Sequence, residues 1–282
     1  MNWGSLRETY AAALFYETEI LEKMNKEKKL FIWDPFCGSG TLLIEAFSII
    51  FQRQARNLDT IMSEGFTKLP FHDKINFKSF LKEENKLAKS YNISIDENFE
   101  CEFIASDINR KSITAINENC QTAKFKNYKI YSGDKLINKD NKDKDDNSIN
   151  SKNDYENFVN PIIFHMRVNN VFNNFMGDFE AIGKNVIFSE KNKGKKFTIF
   201  SHLPYGVSTH MDDIVKVKKL YKRFGKFLRK FCNEIDDVFI IINKREEKDL
   251  LNFKKLSECE WECLMQFENN GISVELLKLK KI

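Results

Sequence analysis

The chain is predicted to fold as a Rossmann-like α/β domain, a doubly wound parallel sheet closed by a C-terminal antiparallel hairpin. Three observations predict it: five short β-branched or aromatic segments ending at polar or acidic residues, helical patterns between most of them, and a glycine-rich turn directly after the first. Its 282 residues, 42% hydrophobic and 13% aromatic, suffice for a full core. They are read as one domain spanning 1–282, interrupted by a partly helical insertion at 53–100 and a low-complexity insertion at 135–157.

In chain order, Trp3 to Phe15 carries a helical pattern and Leu30 to Asp34 the first strand. Thr41 to Gln52 is the first crossover helix. Cys101 to Asp107 is the second strand, followed by the helix Lys111 to Lys124, whose Ile113, Ile116, Cys120 and Ala123 recur at spacings of three and four. Tyr128 to Asp134 is expected as the third parallel strand, Phe197 to Ser201 as the fourth and Asp237 to Asn243 as the fifth. Trp261 to Glu268 and Ile272 to Leu279 form the hairpin, joined by Asn269, Asn270 and Gly271, which suit a turn with positive φ. In 135–157, 16 of 23 residues are Asn, Lys or Asp, a composition that buries no core and is expected to be disordered.

The net charge of +4, from 45 basic and 41 acidic residues, names no partner for the chain as a whole. The six cysteines are scattered; Cys259 and Cys263 alone approach ligand spacing, with no second pair or nearby histidines, so reduced thiols and no metal are expected. No run approaches the roughly 18 apolar residues of a membrane helix, and the first residues lack the order of a signal peptide. A soluble cytoplasmic protein is therefore expected, with an organellar or nucleolar setting open if the chain is a fragment.

The chemistry-bearing motif is Asp34-Pro35-Phe36-Cys37-Gly38-Ser39-Gly40-Thr41. Glycines let the backbone turn sharply and approach a ligand closely. A dinucleotide fingerprint would require glycine where Leu43 stands, and a phosphate-binding P-loop would require Gly-Lys-Ser/Thr, which is absent. An acid at the strand end, Asp34, repels phosphate but suits a cation such as the sulfonium and amino group of S-adenosylmethionine. Asp107, with Ile108 after it, is placed to accept from ribose hydroxyls, and Asp134 to meet an adenine amine. An N-cap role for Asp107 and an ordinary turn role for Asp134 are the structural alternatives.

Ser201-His202-Leu203-Pro204-Tyr205-Gly206 follows the fourth strand, at the sheet edge facing the glycine loop. Neutral His202 and the carbonyls around Pro204 are candidate acceptors for an amine, and Tyr205 a stacking face for a base. The next helix, Ile214 to Phe231, carries eight Lys or Arg between Lys216 and Lys230. A solvated face is the plainer reading and contact with RNA phosphates the sharper one.

Together these residues resemble the RNA guanine methyltransferases that usually carry an RNA-binding THUMP domain ahead of the catalytic domain. The resemblance rests on Leu6 to Leu14, Asp34 to Ala46, Ser106-Asp107-Ile108-Asn109, the spacer containing His72-Asp73, and Asn270-Gly271-Ile272. It implies a class I methyltransferase sheet, S-adenosylmethionine as cofactor, no metal, and the exocyclic amine of a guanosine in ribosomal or transfer RNA as acceptor. It also implies cofactor contacts from the helix holding Thr9, from Asp34, Pro35, Phe36, Cys37, Gly38, Gly40 and Thr41, and from Asp107, Ile108 and Asp134, with His202, Pro204 and Tyr205 catalytic. RNA placement would then involve a THUMP-type domain or a partner subunit. The chain departs from the family's Asn/Asp-Pro-Pro-Tyr loop at His202 and Leu203. Two other readings stay open: an amino methyltransferase acting on DNA or protein, and a cofactor-binding, RNA-recruiting module without catalysis.

Overall fold

A computed structural model describes residues 6–50, 100–122, 128–132, 135–137, 162–166, 170–204, 211–243, 252–269 and 271–280. Ten strands form one sheet: β1 Lys29–Asp34, β2 Glu100–Asp107, β3 Tyr128–Ser132, β4 Lys135–Ile137, β5 Ile162–Met166, β6 Asn170–Met176, β7 Phe197–His202, β8 Ile235–Asn243, β9 Trp261–Asn269 and β10 Ile272–Leu279. Their order is β4-β3-β5-β6-β2-β1-β7-β8-β10-β9. The run β6-β2-β1-β7-β8 is parallel, and β10 enters antiparallel between β8 and β9. This is the parallel sheet with an antiparallel closing hairpin that the sequence predicts. Gly271 supplies the positive φ (75°) at the turn.

The parallel strands read as continuous apolar runs because both of their faces are covered. In β1, Ile32 packs toward one core while Phe31 and Trp33 pack toward the other. The first core is roofed by α1 Glu8–Tyr16, α2 Ile20–Glu27, α3 Thr41–Ile50 and α4 Arg110–Thr122, through Leu14, Phe15, Met24, Leu43, Phe47, Ile113 and Ile116. The second is roofed by α5 Phe179–Ile182, α6 Met211–Lys230 and α7 Phe253–Ser257, through Phe179, Tyr221, Phe224, Phe227 and Phe253. Phe179 packs edge-on against Phe224 and Phe227, with centroids 5.6 and 5.5 Å apart. Among the described residues no helix is long and apolar enough to cross a membrane.

Four of the five expected parallel strands are found, and one expectation is corrected. The segment at Tyr128–Ser132 is not the parallel neighbour of β2; it lies outside β5 and pairs antiparallel with both β4 and β5. The place beside β2 is taken by Asn170–Met176, in register from Cys101↔Asn170 to Asp107↔Met176. The low-complexity insertion also begins with a strand, since Lys135–Ile137 pairs with Ser132–Ile130; residues 138–157 lie outside the described residues, as does the insertion at 53–99. The expected N-terminal helix begins at Glu8, and a second, Ile20–Glu27, ends at Lys28 in the left-handed region (φ 56°).

Helix α6 approaches α7 closely enough to require glycine at its crossing point: a Cβ on Gly225 would lie 2.0 Å from the Ser257 carbonyl oxygen. That obstacle is backbone and cannot swing aside. Gly225→Ala is therefore expected to destabilise the fold by about 1–3 kcal/mol, the usual range for overpacking. Urea unfolding checks this: the midpoint should fall at unchanged slope.

Candidate active site

A cleft of about 860 Å³ opens at the carboxyl ends of β1, β2, β6 and β7, where ligands bind in sheets of this kind. Its floor is the turn between β1 and α3, with Asp34, Pro35, Phe36, Cys37, Gly38, Ser39 and Thr41 along it. The turn is anchored to the end of β2: the Cys37 amide donates to the Ser106 carbonyl (3.0 Å) and the Gly38 amide to Asp107 Oδ2 (3.0 Å). From the other side, Asn119 Nδ2 donates to the Ser39 carbonyl at 2.9 Å. Gly38 has φ 53°, and a Cβ there would meet nothing within 4 Å, so the protein leaves space above it. Gly40 does not line the cleft, and its Cβ would sit 2.2 Å from Ile116 Cδ1. Its glycine permits close packing of the turn on α4.

Two acids meet at this floor. Asp34 is 1% exposed and accepts from the Ser201 hydroxyl (2.5 Å) and the Phe36 amide (3.1 Å), both on Oδ1. Burial outweighs those bonds and raises its pKa to about 7, with repulsion from Asp107 a lesser cause. Asp107 accepts from Gly38 and, at 2.7 Å, from the Asn109 amide; burial raises its pKa too, while these bonds oppose the rise. The thiol of Cys37 is pushed well up, first by burial and then by Asp34, which leaves it inert. Ile108, 74% exposed, stands at the rim.

Across the floor, β7 delivers His202, Leu203 and Pro204 to the cleft. Burial lowers the His202 pKa to about 4, so its imidazole is neutral near pH 7. Leu203 donates its amide to Ile241 on β8 (3.0 Å), and the Pro204 carbonyl accepts from the Tyr221 hydroxyl of α6 (3.1 Å). Tyr205 lies outside the described residues.

The structure adds a group that the sequence reading missed. Gly177 and Asp178 follow β6, and with Phe179 they line the cleft beside Asp107. The Gly177 amide donates to the Asp107 carbonyl (2.9 Å), and Asp178 caps α5 by accepting from Glu180 N at 3.0 Å. Arg223 of α6 bridges Asp178 (3.0 and 3.1 Å) and Glu180 (3.0 Å), and lies over the Phe179 ring. Asp178 thus holds the sheet position expected for Asp134, which itself lies outside the described residues. The Met-Gly-Asp run at 176–178 was the available signal, because it repeats the Ser-Gly-Asp of 132–134. Thr9, expected near the cofactor, is exposed on α1 and does not line the cleft, whereas buried Leu6 does.

Residues 2–141 match the family described as UPF0020, an RMKL-like methyltransferase domain. An uncharacterized protein of Dictyostelium discoideum is 26% identical over 273 residues, covering 89% of this chain, and the chain spans 47% of that protein's length. A solved Listeria monocytogenes structure, described as a candidate class I S-adenosylmethionine-dependent methyltransferase, shares 9% identity at a TM-score of 0.44, covering 98% of this chain and 60% of that one. The chain spans about half the length of the curated relative and under two thirds of the structural one.

Asp34 and His202 act in opposite directions on stability. Asp34 titrates near its ordinary 3.8 when unfolded and about 7 when folded, so the native chain holds the extra proton between those values and stability falls as pH rises through that window. His202 titrates near 6.5 when unfolded and about 4 when folded, so the unfolded chain holds the extra proton and stability rises with pH over that range. Relative to wild type, Asp34→Asn should steepen the rise between about pH 4 and 6.5, and His202→Asn should steepen the fall between about pH 4 and 7. Urea unfolding at a series of pH values reads both, and profiles parallel to wild type would count against these environments.

Proposed function

We propose that this chain, a class I S-adenosylmethionine-dependent methyltransferase domain, acts on the exocyclic amine of a guanosine in ribosomal or transfer RNA. What carries the reading is the pairing in one cleft of an acid-floored glycine turn with the neutral His202 loop, in the motif order of the resembled RNA enzymes. The residues present fit the cofactor: Gly38 leaves room for close approach, Asp34 and Asp107 are acids suited to a cationic nucleoside, and exposed Ile108 offers an apolar face. In this reading Asp107 holds the ribose, and Asp178 with Ile108 holds the adenine. When bound, S-adenosylmethionine supplies an electrophilic methyl group.

The work left to the chain is mostly alignment, which can contribute several kcal/mol or more to lowering a barrier. Neutral His202 accepts a hydrogen from the target amine and orients its lone pair; an imidazolium at this place would repel the amine's hydrogens. Tyr221 holds the Pro204 carbonyl, so the loop presents His202 and Leu203 in one arrangement. Tyr205, next along the chain, stacks on the base. Placement of a large RNA would draw on a THUMP-type segment or a partner. The substitution of His202 for the family's Asn/Asp favours one rival, a module that binds cofactor without transfer.

Incubation with methyl-labelled S-adenosylmethionine and RNA lacking the modification, followed by nucleoside analysis, should place label on the guanosine exocyclic amine. His202→Ala should lower kcat by about 100-fold or more, within the usual range for a positioned acid or base. Label on DNA or protein instead would overturn the acceptor, and cofactor binding without transfer to any acceptor would favour the rival. Asp178→Ala should weaken cofactor binding by roughly tenfold, about one lost charge-assisted hydrogen bond, as read by calorimetry.

A further inference from the structure

Helix α6 is amphipathic in an unbalanced way. Its inward side carries Val217, Tyr221, Phe224, Phe227 and Leu228, all buried. Past the two acids of its first turn, Asp212 and Asp213, its polar positions from Ile214 to Lys230 hold eight cations and no acid. A face that is merely solvated gains by interleaving opposite charges at spacings of three and four, whereas like charges at those spacings destabilise the helix. Beyond that first turn, the ion pairs reaching the helix come from other elements: Asp178 and Glu180 to Arg223, and Glu258 to Arg229. Lys219, Lys222 and Lys226 engage no carboxylate among the described residues.

At about 100° per residue, positions 216, 219, 223, 226 and 230 fall within a sector about 80° wide and run about 21 Å along the axis. The stripe starts at the cleft, because Lys216, Lys219 and Arg223 line its rim, and Lys226 and Lys230 continue it outward over exposed surface. The floor beneath it carries Asp34 and Asp107, and Asp178 is paired with Arg223 of the stripe itself. A polyanion approaching the cleft is attracted by the exposed lysines of the stripe, at positions 216 and 219 on the rim and 226 and 230 beyond it.

We infer that this stripe of α6 holds the phosphate backbone of single-stranded RNA while the target base enters the cleft. The inference rests on the proposed acceptor and adds where the RNA lies. A single strand is specified because a base stacked in a duplex cannot reach a recessed site, whereas an unstacked one can.

The test is fluorescence anisotropy with a labelled single-stranded RNA oligonucleotide at several salt concentrations. Lys226→Gln/Lys230→Gln lies outside the cleft and removes two charges. Its slope of log affinity against log salt should be shallower by about 1.4, from roughly 0.7 per lost phosphate contact, with unchanged cofactor affinity. Lys28→Gln/Lys29→Gln removes the same charge where α2 joins β1, off helix α6, and should bind RNA as wild type does. If both pairs behave alike, the stripe is not the RNA surface, while methylation of RNA by wild type would leave the acceptor assignment standing. If the slope changes only for the α6 pair and no RNA is methylated, the surface stands and the acceptor assignment falls. Tighter wild-type binding to an acidic peptide than to RNA would overturn the inference.

Discussion

At the carboxyl end of β2, Asp107 accepts the Gly38 and Asn109 amides on its side chain and the Gly177 amide on its carbonyl. Three backbone segments from three parts of the chain converge there: the glycine turn, the start of the α4 loop and the exit from β6. Hydrogen bonds to a charged group contribute about 1.5–3 kcal/mol each, so the turn has a defined position before any ligand arrives. A carboxylate offers about four acceptor sites, so the amide bonds leave capacity toward the cleft. The same residue can therefore build the site and serve it. The cap of α4 is Asn109, whose side chain accepts the Lys111 amide (3.0 Å), so Asp107 is not the N-cap.

Asp34 presents the opposite balance. Its carboxyl is buried between β1 and β7 with the Ser201 hydroxyl and the Phe36 amide for partners, and neither offsets its desolvation. An acid that would be fully ionised in water titrates at about 7 here, so near neutral pH it is shared between its protonated and ionised forms. A cation placed nearby restores the ionised form, so part of the discrimination for a positively charged ligand is already present in the fold. Phosphate gains nothing from this arrangement, which agrees with the lack of a third glycine and of a P-loop lysine.

The parallel core was legible wherever a strand is covered on both faces. Leu30–Asp34, Cys101–Asp107 and Phe197–Ser201 announce themselves as apolar runs, and the hairpin by its turn residues. The third parallel strand was not legible. Asn170–Met176 carries three asparagines in seven residues, so neither an unbroken run nor a clean alternation marks it, and it follows a tract of similar composition. Tyr-Lys-Ile-Tyr-Ser has better β propensity and ends at a Gly-Asp, yet it pairs at the sheet's outer side. Propensity found a strand; only pairing could say which strand lies beside β2. The glycine turn, Asp107 and His202 were read correctly as neighbours because the switch point of the sheet brings β1, β2 and β7 together whatever the insertions do.

Helix α6 then joins the two walls of the cleft. Tyr221 holds the Pro204 carbonyl on the acceptor side, and two residues later Arg223 is held by Asp178 and Glu180 on the other. One rigid element thus fixes the distance between the glycine-turn side and the His202 loop. A module that only bound cofactor would need the floor and the Asp178 wall, but it would have no use for a hydroxyl bracing the loop opposite. The brace and the neutral, buried histidine beside it give the His202 loop a fixed geometry, which a positioned acceptor requires and a cofactor cleft alone does not.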